Sequence, residues 1–206
     1  MSQQPPRMGR PPTLVAGQRI PERIMDVAER LFGKYGYEEV SIRRIVNEVG
    51  VTQGALYHHF DSKQDLFCRV GERVLRRQTE RLEQILAEGG TAEEMLVKSC
   101  ISATVATADE LEAAWVYLRL AEVLEDAEQA EEMQRQRRRH YQLLRDLMRE
   151  GQRTGVLRSD IPAHVLAFQM IGMIQHVPNW WRPDGERTAR QLGEDFATLF
   201  LVGAKA

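Results

Sequence analysis

The sequence is poor in cysteine: Cys68 and Cys100 are the only two in 206 residues. That excludes a disulfide framework and suits buried thiols in a reducing compartment. It also lacks a membrane-length apolar run. The longest, Leu166 to Ile174, is interrupted by Gln169 and falls far short of the ~20 residues a bilayer requires. The first 20 residues hold no apolar segment of the secretory type, so the expected address is the cytoplasm, with no membrane partner. Catalytic signatures are missing as well. There is no phosphate-cradling glycine loop, no His-Glu-x-x-His pair, no Cys-x-x-Cys and no Gly-x-Ser-x-Gly elbow. His140, His164 and His176 fall on separate predicted helices with no matched acidic or cysteine partner. The expectation is therefore a protein that is no enzyme and uses neither metal nor cofactor.

What is present points to helices alone. No alternating strand pattern exceeds a few residues, so the expected fold class is all-α, with about nine helices. Residues 1–18 carry four of the eight prolines and no periodicity, and read as a flexible arm. Arg7 and Gly9-Arg10-Pro11 within it suit a narrow minor groove, or belong to a solvated tail that binds nothing. Charge divides unevenly: residues 1–76 hold 12 Lys/Arg against 9 Asp/Glu, and residues 77–206 hold 16 against 21. A basic head on a more acidic body is the pattern of a nucleic-acid-binding unit.

From Ile20 the apolar residues Ile24, Val27, Ala28, Leu31, Phe32 and Tyr35 keep helical spacing, with Pro21 in the first turn and Gly36 as a stop. Ser41 is an N-cap for a short helix with Ile42, Ile45, Val46 and Val49 inward, ended by Gly50 in a left-handed conformation. Thr52 caps a third helix predicted to run through Phe60, with Leu56 and Phe60 inward. Ser62 and Asp65 suggest a capping box opening a long helix from Lys63 to about Glu88. Gly89-Gly90 stops it, and Thr91 with Glu94 opens the next. Further helices are expected near Asp109, over 127–153, from Pro162 to Val177 and from Thr188 to Gly203.

The stretch Ser41 to Lys63, SIRRIVNEVGVTQGALYHHFDSK, has two short helices joined by a tight turn, the geometry whose second helix enters a DNA major groove. With Leu56 and Phe60 inward, Gln53, Gly54, Tyr57 and His58 face out. Gln and His edges suit bases, and a Tyr hydroxyl suits a phosphate. Gly54 costs about 1 kcal/mol in helix propensity, which calls for a packing or functional cause. Lys63, at a helix N-terminus, suits a phosphate.

These residues resemble the DNA-binding domain of the TetR family. Phe32-Gly33-Lys34-Tyr35-Gly36-Tyr37, then Ser41, Ile45 and Gly50-Val51, then Leu56-Tyr57-His58-His59-Phe60 with Ser62-Lys63-Gln64-Asp65-Leu66 match its pattern in order. Val46 departs from it, where the family usually has Ala. The resemblance implies phosphate contacts from Ser41, Tyr57 and Lys63, and groove contacts from Arg43, Thr52, Gln53, Gly54, Ala55, His58 and His59. It implies a head over 19–67 and an effector-binding, dimerising body over 68–206, whose last two long helices pair with a second copy. It also implies double-stranded DNA and a small-molecule effector as partners of a homodimer.

Large or odd residues in the body, Trp115, Arg119, Met148, Phe168, Met173 and Trp180, are the expected ligand contacts, with Tyr117 beside them. The run Trp180-Trp181-Arg182-Pro183-Asp184-Gly185 is similar to a segment of family members that sense acyl-CoA thioesters. Arg135, Arg137, Arg138 and Arg139 read as a solvated face answering Glu131 and Glu132, with Glu131–Arg135 as an i, i+4 pair. A helical protein-binding adaptor is the alternative function.

Overall fold

The structure, a computed structural model, describes residues 19–123 and 131–205, with side chains not described for 120–123. The arm with Arg7 and Arg10 lies outside the described residues. Within them the chain forms nine helices and one further helical turn, with no strand beyond an isolated bridge between Leu157 and Lys205. The helices are α1 (Ile20–Tyr35), α2 (Ile42–Val49), α3 (Gln53–Tyr57), α4 (Lys63–Glu88), α5 (Ala92–Asp109), α6 (Leu111–Val123), α7 (Glu131–Arg153), α8 (Ala163–Gln175), the four-residue α9 (Val177–Trp180) and α10 (Ala189–Ala204). No described helix is long and apolar enough to cross a membrane.

Local chemistry explains most boundaries. Ser41, Thr52, Ser62, Thr91 and Thr188 each accept a hydrogen bond from a first-turn backbone N–H, satisfying donors that the helix itself leaves open. Gly50 ends α2 at φ 79°, ψ 36°, the left-handed conformation that costs glycine nothing. Some details differ from expectation: the helix expected from Pro162 to Val177 ends at Gln175, and Val177 opens the separate turn α9. The third helix ends at Tyr57 rather than Phe60, because His58 and His59 turn back to bring Phe60 under the head, where its N–H still reaches the Leu56 carbonyl. Asp65 does not close a box onto Ser62; its carboxylate accepts from the N–H of Asp61, one residue further out, and from Arg69.

Two apolar cores form. The first joins α1 to α4 through Phe32, Leu56, Phe60, Phe67 and Leu75, with Val116 and Met133 closing it from the body. Phe32 meets Phe67 edge-on with ring centres 5.1 Å apart, an arrangement favoured by the ring quadrupoles. The second core starts at Leu82 and takes in α5, α7, α8 and α10. The division expected after residue 67 thus falls inside the unbroken α4, and the core of the head extends to Leu75.

Glycines permit two close crossings. A Cβ on Gly33 of α1 would lie 2.3 Å from the backbone oxygen of Glu112 at the start of α6. One on Gly193 would lie 2.9 Å from the Ile101 Cα, which lets α10 lie directly on α5.

Candidate nucleic-acid interface and ligand cavity

The head turns one polar face outward. Ser41, Arg43, Thr52, Gln53, Gly54, Tyr57 and His58 are exposed, and Ala55, His59 and Lys63 are partly so, while Leu56 and Phe60 are buried beneath them. All ten sequence-selected residues therefore lie on α2 and its cap, on α3 and its cap, in the turn after it and at the start of α4. Tyr57 keeps 49% of its surface open, so its hydroxyl is accessible from outside the chain. A Cβ on Gly54 would meet nothing closer than the Thr52 hydroxyl at 3.8 Å. Packing inside the chain therefore gives no reason for glycine there.

Several cations are held in place around this face. The Lys63 ammonium lies 4.2 Å from the centre of the Tyr37 ring and donates to the Glu38 carbonyl at 3.4 Å. The Arg44 guanidinium stacks 3.8 Å over Tyr35, a contact that nothing in the local pattern marks out, because the two residues sit on different helices. Lys34 and then Arg44 beside it pull the Tyr35 phenol below its usual range. Arg23 donates to the Val49 carbonyl at 2.7 Å, and Arg30 pairs with Glu48, so α1 braces the last turn of α2 from two positions. His58 and His59 meet edge to face with ring centres 5.0 Å apart.

In the body, α4 to α8 line a partly open cavity of about 70 Å³. Apolar side chains such as Leu82, Leu144 and Ile174 wall most of it, interrupted by Ser99, Tyr117, His140, Gln175 and, at its edge, Arg81. The Ser99 hydroxyl is buried with no hydrogen-bond partner among the described residues. An orphaned polar atom on a cavity wall leaves a hydrogen-bonding group open to whatever occupies the cavity. Burial pushes the His140 imidazole down to about 4, so the ring is neutral near pH 7, with the Thr79 hydroxyl 3.5 Å from its Nδ1. Burial likewise raises the Tyr117 phenol, with Arg137 and Gln175 beside it pulling the other way. Outside Arg81 an open groove of about 530 Å³ continues between α4 and α5, bordered by the cations Lys98 and Arg190 and by the carboxylates Glu88, Asp109 and Glu110.

The six ligand contacts expected from sequence stand elsewhere. Arg119 of α6 turns toward α1, donating to the carbonyls of Phe32 and Gly33 at 3.1 and 3.2 Å, and Trp115 lies beneath it, its ring centre 5.2 Å from the guanidinium. The Arg119 charge thus answers the open carbonyl end of α1 rather than the cavity. Met148 is fully buried in the second core, and Met173 packs against that core. Phe168 and Trp180 are 58% and 53% exposed, Phe168 stacked on Tyr141. In the Trp180-Trp181 pair it is Trp181 that enters the core, its indole N–H donating to the Arg187 carbonyl at 3.0 Å. Size and chemical oddity do not reveal which face of a helix a residue occupies; among the residues singled out in the body, Tyr117 does line the cavity. Within the arginine run of α7, Arg139 donates to Glu83 of α4 at 2.8 Å, and Arg135 pairs with Glu132 rather than Glu131.

Two family models match the chain. One described as bacterial regulatory proteins, tetR family, matches residues 24–70, and one described as tetracyclin repressor-like, C-terminal domain, matches residues 89–204. The HTH-type transcriptional repressor KstR2 of Mycolicibacterium smegmatis is 25% identical over 183 residues, covering 88% of this chain and 89% of that one. Among solved structures, the ketosteroid transcriptional regulator KstR2 of Mycobacterium tuberculosis superposes with a TM-score of 0.80 at 22% identity, over 94% of this chain and 100% of that one. AibR in complex with isovaleryl coenzyme A and operator DNA superposes with a TM-score of 0.79 at 19% identity, over 88% and 97%.

Proposed function

This chain belongs to the TetR family of transcriptional regulators, and on that footing we propose that it represses transcription as a homodimer whose two heads grip a palindromic operator and which a small-molecule effector releases. As a family member it is a DNA-binding regulator and not an enzyme, and the adaptor alternative has no support in the matches. The observation that carries the operator contacts is Gly54, a glycine in an exposed helix with no packing cause in its own chain. Close approach of another molecule's backbone or bases is the remaining physical cause. Gln53, Thr52, Ala55, His58, His59 and Arg43 surround it and would meet base edges, while Ser41, Tyr57 and Lys63 would meet phosphates.

Pairing with a second copy is supported by α8 and α10. Val165 and Phe168 on one, Leu199 and Val202 on the other, leave large apolar surfaces in water. Gly172 and Gly203 beside them have open space where a Cβ would stand, which admits a neighbouring helix. Two heads about one helical turn apart, or a multiple, then require a palindromic site. The effector reading rests on the cavity of α4 to α8. Its small volume suits a short acyl end, and the larger groove outside, where Arg81, Lys98 and Arg190 stand among the carboxylates of Glu88, Asp109 and Glu110, has room for a larger part that pairs with those cations. An acyl thioester of coenzyme A has both parts, and AibR, of the same fold, is bound to one.

Binding to a duplex selected from random sequence by the protein itself tests the two contact classes. Lys63→Ala should weaken binding to every sequence and lower the salt slope by about 0.9, one phosphate's worth. Gln53→Ala should leave that slope alone and cost about 1–3 kcal/mol of discrimination at particular base pairs. Identical behaviour of the two variants on selected and random DNA would refute the division of roles.

A further inference from the structure

One chain of ion pairs runs from the cavity edge into the head. Arg73, Arg77 and Arg81 stand at successive i, i+4 positions along α4. Arg81, the only arginine or lysine among the described residues of the cavity wall, also borders the outer groove and pairs with Glu110. Glu110 accepts a second bond from Arg77 at 3.1 Å. Arg77 in turn grips Glu29 of α1 at 2.8 and 3.2 Å, and Arg73 shares that same carboxylate at 2.6 Å while also reaching Asp26 at 2.6 Å. The side chains of Glu29 and Arg73 are only 16% and 17% exposed, so their attraction is weakly screened. Three arginines and three carboxylates balance within this chain of pairs.

Glu110 sits at a mechanical junction. It is the residue that ends α5, immediately before α6 begins at Leu111. Two residues later the Glu112 backbone lies against Gly33 of α1 with no room for a methyl group between them, and Arg119 further along α6 holds the carbonyl end of α1. A shift of the α5–α6 junction therefore cannot be absorbed by side-chain slack; close-packed backbone moves as a body.

We propose that the Arg81–Glu110 pair is the anion sensor of this regulator: an oxyanion of the effector, a carboxylate or a phosphate, takes Arg81 from Glu110, and Glu110, then held by Arg77 alone, lets the α5–α6 junction and the end of α1 shift together. The proposal rests on the cavity being the effector site. It adds that ligand charge at Arg81, rather than the filling of the apolar cavity, is what reaches the head. An anion arriving there repels the Glu110 carboxylate and attracts the Arg81 guanidinium, so one event both breaks the pair and drives its halves apart. A neutral ligand of the same shape fills the cavity and leaves the pair intact.

The test uses the full chain, amide hydrogen exchange over residues 30–37 and 110–119, and affinity for the selected duplex. Glu110→Gln, with no ligand present, should speed exchange in both segments and weaken duplex binding by about tenfold, in the ordinary range of allosteric coupling. Glu110→Asp, which keeps the charge, should remain within about twofold of the parent. Glu83→Gln, which breaks the α4–α7 pair to Arg139 and touches no member of the chain of pairs, is the control. If Glu110→Gln leaves exchange and affinity unchanged, or Glu83→Gln has the same effect, the sensor is overturned.

The role of ligand charge is measured in the parent with butyryl coenzyme A, butyrate, and the phosphate-free butyryl thioester of N-acetylcysteamine, at matched ionic strength. Coenzyme A thioester alone acting places the anion on a phosphate, and butyrate acting as well places it on a carboxylate. Release by the neutral thioester at equal occupancy overturns a role for ligand charge. If none of the three binds, an acyl effector and a charge sensor at Arg81 are both overturned, while Glu110→Gln still decides the connection to the head.

Discussion

His140 shows at the scale of one residue how the cavity makes a demand on solvent conditions. Its imidazole is pushed from an ordinary value near 6.5 to about 4 by burial, because the charged form loses hydration inside the body. The folded chain thus binds this proton less readily than the unfolded chain. Above pH 6.5 both states are neutral and nothing is lost; as pH falls from 6.5 toward 4 the unfolded state gains protons first and stability declines. Urea unfolding at pH 7.5 and pH 5 should differ by on the order of 2 kcal/mol on this account, and His140→Gln should remove that part of the difference. Cys68 and Cys100 belong to the same class of effect. Burial pushes their thiols up to about 11 and about 12, so neither is a ready nucleophile in the folded chain.

At the scale of elements, two glycines in helices of the head have opposite reasons to exist. Gly33 lets α1 touch the backbone of α6; Gly54 has empty space beside it. Gly33→Ala should therefore cost about 2 kcal/mol of stability through overpacking against rigid backbone, measured as a lower urea midpoint at unchanged slope. Gly54→Ala should instead raise stability by up to about 1 kcal/mol, since alanine is the better helix former and meets no clash. The same variant should bind the selected duplex less tightly. A Gly54→Ala chain that is more stable and binds equally well would remove the argument for close DNA approach at this position. The third helix is only five residues long, so its orientation depends on what it packs against. Leu56 and Phe60 anchor it from below, and the Asp65 carboxylate ties Asp61 to Arg69 behind it.

At the scale of the whole molecule, α4 is the member common to both halves, its first half in the core of the head and its second half along the cavity. The apolar stripes of α8 and α10 lie on the body, and a second copy set against them would fix the distance between two heads. Replacing Leu199 and Val202 with glutamate places charge in that contact and should give monomers by sedimentation. Duplex affinity should fall by about 100-fold or more, since two linked heads act at high effective concentration and separate ones do not. A chain that stays dimeric with both substitutions would show that the pairing surface lies elsewhere.

The sequence by itself determined the all-helical class, the order of the helices, their caps and the outward face of the head. Each comes from interactions within a turn or two of the chain: Ser41 and Thr52 capping the helices they precede, Gly50 closing α2, and the spacing of Ile42, Ile45, Val46 and Val49. Even there the last turn before Phe60 departs from the helical pattern, because burying that ring outweighs continuing the helix. Only the tertiary structure decided the cavity, whose walls come from five helices, and the ion pairs that join residues 29, 77, 81 and 110. Trp115, Arg119, Met148, Phe168, Met173 and Trp180 stand out by type, yet a cavity is the space left between packed helices. Which residues line it depends on crossing angles and helix rotation, and local periodicity does not encode these.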